Sequence, residues 1–337
     1  MRETARWATS FAVTHAGTRG PGPYVLLDNA RPGGAVARLY RDPVEIISAD
    51  RVADVMPALD RVRDAVAGGQ HAAGFLTYEA GAAFVPDAPE LPTDGPLLWF
   101  GLFNGFTEVA DVPAMLPNPA GAWAGAARPA IDRQDYDQRL ARVLALIEAG
   151  DIYQANLTFP ADVAVIGDSQ ALYARLRRSA GAGYGALIDT GAAQLLSLSP
   201  ELFFSLEQGR LTAKPMKGTA RREQDPVADR AAGAALAADE KQQAENLMIV
   251  DLMRNDLSRV AAPGSVETPT LFALETYPTI HQLTSTVTAM LGEGKDAVDV
   301  LTALFPCGSI TGAAQRRAME VIAAVEGHTR GIYTRAI

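Results

Sequence analysis

Cysteine is nearly missing from the chain, which has one, Cys307, in 337 residues. A single thiol excludes an internal disulfide framework and fits a reducing cytoplasm. Histidine is scarce too, with four residues, and none has a second histidine, a cysteine or a paired acid at metal-ligand spacing, which argues against zinc. Long apolar runs are lacking. The most apolar stretch, Leu97 to Phe103, is far too short to cross a bilayer, and Met1-Arg2-Glu3-Thr4-Ala5-Arg6-Trp7 has no apolar core of leader length. The expectation is a cytoplasmic protein with no membrane partner. No Lys/Arg run occurs, and 30 basic against 39 acidic residues leave a net charge of −9, so nucleic acid is not an expected partner. There is no repeat of fixed period and no low-complexity tract beyond an enrichment in alanine.

What is present is apolar mass. With 48% hydrophobic and 20% charged residues, the chain can bury the core of one large domain or two ordinary ones. Residues 1–125 read as a strand-rich part with one helix, Ala53 to Ala67, and 126–337 as the part that carries the chemistry. The proline-rich segment Ala110 to Ala130 is the one candidate linker between them. From Asp135 the pattern turns helical, because Leu140, Val143, Leu144 and Ile147 follow i, i+3, i+4, i+7 spacing, Asp135 can cap, and Gly150 suits the position after the helix. Tyr184 to Asp189 and Gln194 to Leu198 read as paired strands around Thr190-Gly191-Ala192. Leu202 to Leu206 and Arg210 to Ala213 form a second pair around Gly209, which suits a turn with positive φ. A long helix, Asp229 to Ala238 leading into Asp239 to Val260, and a last one from about Thr311 to Glu326 complete the pattern. Long helices against clustered hairpins predict an α+β fold.

The second hairpin draws two reactive groups together. Ser199-Pro200-Glu201 precedes it and Pro215-Met216-Lys217-Gly218-Thr219 follows it, so a carboxylate and an amine flank one turn. An apolar setting around Lys217 lowers the cost of the neutral amine that nucleophilic catalysis requires. The alternative is a solvated lysine after a strand. Glu245 lies on a helix face with Met248, Ile249 and Leu252, where a carboxylate needs a cation or a partner; a salt bridge to Lys241 four residues earlier is the plain reading. Gly308-Ser309-Ile310-Thr311-Gly312 precedes a helix, where free N–H groups and hydroxyls either hold an anion or simply cap. His281 is either a core histidine or a ligand to substrate.

These segments resemble the chorismate-utilising enzymes, the family of anthranilate, isochorismate, salicylate and aminodeoxychorismate synthases. The resemblance is carried by Ser197 to Phe203 with Lys214 to Arg221, by Gly150-Asp151-Ile152-Tyr153-Gln154-Ala155-Asn156-Leu157, by Ala244 to Asp256, by Tyr277 to Ser285 and by Phe305 to Ala313. Weaker matches at Tyr24 to Arg31 and Ala73 to Ala80 are similar to the synthase half of synthase–lyase fusions.

The resemblance implies two antiparallel sheets packed face to face with helices outside. It also implies a lysine-bearing aminodeoxychorismate synthase, component I, that aminates chorismate at C4 on the 4-aminobenzoate and folate branch. Gln154 marks the ammonia-adding members, and anthranilate synthases carry a small residue where Lys217 stands. Glu201 is implied as the acid and Lys217 as the nucleophile. Gln154, Ser199, Gly218, Thr219, His281, Ser309, Thr311 and Gly312 are implied on the substrate, and Glu245 on Mg2+. Ammonia is implied to come from a glutamine amidotransferase subunit.

Lys214, Lys217, Arg221 and Arg222 cluster closely enough to attract the chorismate dianion against the overall negative field. Three features depart from the family's pattern. Gly331-Ile332-Tyr333-Thr334-Arg335-Ala336-Ile337 ends where the family continues into an Ile-Arg-Thr strand, a Gly-Ala-Gly loop and a second magnesium glutamate. Gln242 replaces Glu, and Ala314-Gln315 replaces Pro-Lys. The competing expectations are an anthranilate synthase component I and a catalytically incomplete fragment that keeps the fold.

Overall fold

The computed structural model describes residues 10–14, 22–333 and 337. The segment read for a leader, 1–7, and residues 334–336 lie outside them. Every strand pair among the described residues is antiparallel. Three sheets dominate. A six-stranded sheet takes Ser10–Thr14, Ala193–Ser199, Tyr184–Asp189, Tyr24–Asp28, Ala37–Arg41 and Thr107–Val109 in that spatial order. A three-stranded sheet holds Leu98–Phe103 between Glu45–Ala49 and His71–Leu76. A five-stranded sheet comprises Leu202–Glu207, Arg210–Lys214, Met216–Arg221, Ile280–Met290 and Glu267–Thr276.

The three-stranded sheet lies between the other two, and side-chain alternation explains how. Trp99 and Phe103 point with Ala73 and Phe75 into a core shared with Val25, Ile188 and Leu195 of the six-stranded sheet. Leu98 and Leu102 point the other way, into the main core with Leu211, Ala213 and Val287 of the five-stranded sheet. Helices close the outside: Ser169–Ala180 covers the far face of the six-stranded sheet, and Glu240–Ser258 packs on the five-stranded one. The expected α+β class with packed antiparallel sheets and outer helices holds, with a third sheet added. Among the described residues no helix is long and apolar enough to cross a membrane.

Several expectations need correction. The two parts on either side of residue 125 share sheets, because Tyr24–Asp28 pairs with Tyr184–Asp189, and the expected linker itself supplies a strand, Ala122–Ala124, that pairs with Val165–Gly167. The segment read as a loop also contains a helical turn, Val112–Met115, capped by Asp111. The helix Arg133–Glu148 is capped by Asp132, whose side chain accepts from the Asp135 N–H at 2.8 Å, so Asp135 is the group that is capped. The long helix is two, Pro226–Ala238 and Glu240–Ser258, broken at Asp239, which ends one and caps the next through the Gln242 N–H. The last helix runs Gln315–Glu326, preceded by a separate turn, Gly308–Thr311.

The two predicted hairpins are both present but lie in different sheets. Ser199 is the last residue paired in the six-stranded sheet, with Tyr184, and Leu202 the first paired in the five-stranded one, with Lys214. The chain therefore changes sheets across Pro200-Glu201. The tight turn of the second hairpin has positive φ at both Gln208 (51°) and Gly209 (78°), the geometry that matches strand twist.

Candidate active site

Glu201 and Lys217 are brought to the same place by that change of sheet and by a slip of register. Glu201 Oε1 accepts from the backbone N–H of Met216 at 2.8 Å, which holds the carboxylate one residue from Lys217. Ser199 Oγ in turn accepts from the Glu201 N–H at 3.2 Å. Along the strand Met216–Arg221, pairing with Ile280–Met290 shifts between Met216/Thr284 and Thr219/Gln282, so Lys217-Gly218 form a bulge. Bulges re-aim side chains, and this one depends on Gly218, whose φ is +97°. A Cβ there would sit 3.2 Å from both Gln242 Oε1 and Leu283 Cδ1. Met216, beside the lysine, is buried, and Lys217 itself is half-buried. Thr219 is tied by its hydroxyl to Gln282.

Sequence reasoning missed the group that fixes the bulge. Asn246, with no exposed surface, donates from Nδ2 to the carbonyls of Lys217 (3.2 Å) and Leu283 (3.4 Å) and accepts at Oδ1 from Ser285 Oγ (2.6 Å). A signal existed, because an amide immediately before the apolar run Leu247-Met248-Ile249-Val250 of a packed helix must satisfy its polar atoms internally once buried.

The second group of candidate residues assembles around a close backbone crossing. Gln154–Ala155 pairs with Gly312–Ala313, and a Cβ on Gly312 would lie 2.1 Å from the Gln154 carbonyl oxygen, so only glycine permits the approach. Thr311 is fully buried, its hydroxyl donating to the Cys307 carbonyl at 3.1 Å, and its own carbonyl accepts the Asn156 N–H at 3.1 Å. Ser309 Oγ lies 3.2 Å from the buried Cys307 thiol, which also touches Met253 sulfur at 3.8 Å.

These loops rest on a buried ion pair that the sequence reading did not identify. Glu326 and Arg330 have side chains 0% and 1% exposed and bond at 2.7 Å. Arg330 also donates to the Ile310 carbonyl at 2.8 Å and to that of Asn156, while Glu326 accepts from the Thr158 N–H at 2.6 Å. Glu79 secures the backbone there, accepting from the Arg330 N–H at 2.6 Å.

The helix Glu240–Ser258 is the wall common to both groups. Asn246 holds the Lys217 bulge, and Leu252 fills the space that a Gly308 side chain would need, with Cδ2 2.0 Å from where that Cβ would be. The six residue steps from Asn246 to Leu252 span roughly 9 Å of helix. Glu245 shares with Leu252, seven residues on, the stripe that faces Gly308. Its observed partner is Lys241 at 4.0 Å, the plain reading from sequence. Among the described residues no three His, Cys, Asp or Glu side chains converge on a cation position.

His281 departs from its expected place on substrate. It is buried, with Nε2 3.0 Å from Asp229 Oδ1 and Nδ1 3.0 Å from Thr276 Oγ1, so both ring nitrogens have protein partners. Asp229 is gripped by Arg222 from the other side, which holds its carboxyl far below the ordinary carboxylate range. Of the four clustered cations, Lys214 is paired with Glu275 and Arg222 with Asp229, while Lys217 and Arg221 make no salt bridge among the described residues.

A cavity of about 780 Å³ lies elsewhere, lined by the six-stranded sheet and by the helices Val52–Ala67 and Ala297–Leu304. Its lining includes Ser199 and Glu201 but not Lys217.

Residues 22–337 match the chorismate binding enzyme family. The chain belongs to that family. It is 45% identical over 205 residues to an aminodeoxychorismate synthase component 1 of Salmonella typhimurium, covering 61% of this chain and 45% of that protein. An aminodeoxychorismate synthase of Streptomyces griseus is 34% identical in an alignment covering 98% of this chain and 55% of the relative. The chain thus spans about half the length of the curated relatives it matches. In fold it is similar to a 2,3-dihydroxybenzoate-specific isochorismate synthase of Bacillus anthracis, with TM-score 0.73 and 17% identity over 94% of this chain and 81% of that one. Backbone and the polar side chains expected at the site converge at the lysine bulge and at the glycine crossing.

Proposed function

We propose that this chain is the chorismate-aminating component I of an aminodeoxychorismate synthase. The observation that carries the reading is Lys217 on a glycine bulge with the Glu201 carboxylate fixed to the adjoining N–H. A nucleophile and a proton donor on one rigid hairpin is the arrangement that covalent substitution needs. In the proposed reaction the neutral Lys217 amine attacks C2 of chorismate, the two conjugated ring double bonds shift, and the C4–O bond breaks as Glu201 protonates the departing hydroxyl, which leaves as water. Ammonia then attacks C4, both double bonds return, and Lys217 leaves as the amine while Glu201 recovers a proton from the added nitrogen. The product is 4-amino-4-deoxychorismate with its enolpyruvyl group retained, the precursor of 4-aminobenzoate on the folate branch.

Gln154, Ser309, Thr311 and Gly312 are proposed to bind the substrate's polar groups, with Ser199, Gly218 and Thr219 shaping the reacting end. Ammonia is proposed to come from a glutamine amidotransferase subunit in the cytoplasm. Glu245 is proposed as this chain's contribution to a magnesium site. No step is routed through the metal; among the described residues no group of three or more His, Cys, Asp or Glu side chains converges on a cation position.

The test is incubation of the purified chain with chorismate, magnesium and excess ammonium, with products identified by mass spectrometry beside Lys217→Ala. Aminodeoxychorismate formed by the wild type and lost in the variant supports the reading. Formation of 2-aminobenzoate, or turnover that survives the variant, overturns it.

A further inference from the structure

The change of sheet at Pro200-Glu201 is held from both sides by groups with no assigned role. Arg31, just beyond the strand Tyr24–Asp28 of the six-stranded sheet, donates from Nη2 to the Pro200 carbonyl at 3.0 Å and to Tyr277 Oη at 3.0 Å. Tyr277, at the tip between the last two strands of the five-stranded sheet, places its hydroxyl 3.1 Å from the same carbonyl and 2.8 Å from Glu275 Oε2. Glu275 is bound in turn by Lys214, which stands opposite Leu202 in the ladder. The network therefore encloses the bridge: Arg31 and Tyr277 grip the residue before Glu201, and Lys214 anchors the residue after it.

We propose that Arg31, with Tyr277, is a positioning residue for Glu201, acting through the Pro200 carbonyl. The inference rests on Glu201 serving as the proton donor described above. Three further features fit it. The guanidinium is stacked between two rings, with Cζ 5.1 Å from the Tyr184 centroid and 5.5 Å from that of Tyr277, so its direction is fixed as well as its bonds. Gly183 makes room for it, since a Cβ there would lie 2.3 Å from Arg31 Nε. That Nε–H is buried without a partner, a desolvation cost that an arginine kept only for stability has no reason to carry. At its other end the Glu201 carboxylate is bound to the Met216 N–H, so main chain and side chain are fixed independently.

The experiment measures steady-state amination of chorismate with ammonium for wild type, Arg31→Ala, Arg31→Lys and Tyr277→Phe, each with its melting temperature. Expected for Arg31→Ala is a kcat lower by about 10–100-fold with KM for chorismate within about twofold, the signature of a displaced catalytic group. Arg31→Lys, which keeps a donor but loses the double stacking, should recover part of the loss, and Tyr277→Phe should lose less than Arg31→Ala. An unchanged kcat per folded molecule in Arg31→Ala, or a loss confined to KM or to melting temperature, would overturn the inference and leave the proposed function standing. A wild type that fails to aminate, giving the same result as Lys217→Ala, overturns the proposed function and this inference with it.

Discussion

Pairing in the six-stranded sheet runs without a register shift, whereas the five-stranded sheet slips at Leu202/Ser205, at Met216/Thr219 and twice along Glu267–Thr276. Both sheets are antiparallel and both contribute to cores, so the difference is not one of class. The regular sheet uses its alternation to bury Leu26, Leu187 and Leu196 on one face and Val25, Ile188 and Leu195 on the other. The irregular sheet surrenders ladder bonds at the positions that flank Glu201 and Lys217, and covers the loss with Asn246 and Glu201 bonding to the freed backbone. Local rules are broken around the proposed reaction centre and obeyed where only burial is asked.

The sharpest test of this contrast is one substitution in each sheet. Lys217→Ala should reduce amination by about 10³-fold or more with little change in melting. Leu187→Ala, at the centre of the regular sheet, should cost about 2–5 kcal/mol in chemical denaturation while kcat per folded molecule is preserved. If the two effects were interchanged, the division of labour would fail. Next in size is Arg330→Ala, which leaves Glu326 charged and buried; a loss of about 3–5 kcal/mol is expected, with proteolysis appearing first near Asn156 and Ile310.

A smaller effect comes from Asp256, buried on the helix behind the irregular sheet and pushed up to about 6 by that burial. Its charged form is disfavoured by folding, so stability is greatest below the ordinary carboxylate value of 3.8 and is lost as pH rises through about 6. Asp256→Asn should therefore raise stability near pH 7.5 by up to about 3 kcal/mol and give no gain near pH 3.5. Its counterpart in the regular sheet, Asp28, is bound by Arg177 and Tyr173, and substitution there should destabilise at neutral pH instead. Smallest is Gly218→Ala, at about 1–2 kcal/mol for the positive φ; its loss of turnover should exceed what that destabilisation explains.

The parts of this molecule legible in its sequence are those fixed by neighbours along the chain. The Leu202–Lys214 hairpin follows from apolar alternation around Gly209, and the glutamate and lysine beside it were readable for the same reason. Asp239 could have been read as a helix cap, since Gln242 stands three residues on, but its alanine-rich flank continues the helical pattern on both sides. Residues that depend on distant backbone were not readable. Glu326 and Arg330 look like an exposed i, i+4 pair interrupted by Gly327; only Asn156 and Ile310, brought from elsewhere, make them a buried hub. His281 looks like a ligand until Asp229 and Thr276 occupy both of its nitrogens.

The order of strands in the regular sheet has a consequence for synthesis. Val25 lies beside Tyr40, which follows it closely, and beside Ile188, which the ribosome makes much later. At about 5–20 residues per second the interval is on the order of ten seconds. Throughout it the nascent Tyr24–Arg41 hairpin presents one unpaired edge and two apolar faces, and it stays in that condition until Tyr184–Asp189 emerges to claim the edge. These strands are thus made well before the partner that completes them, which exposes them to off-pathway pairing during translation.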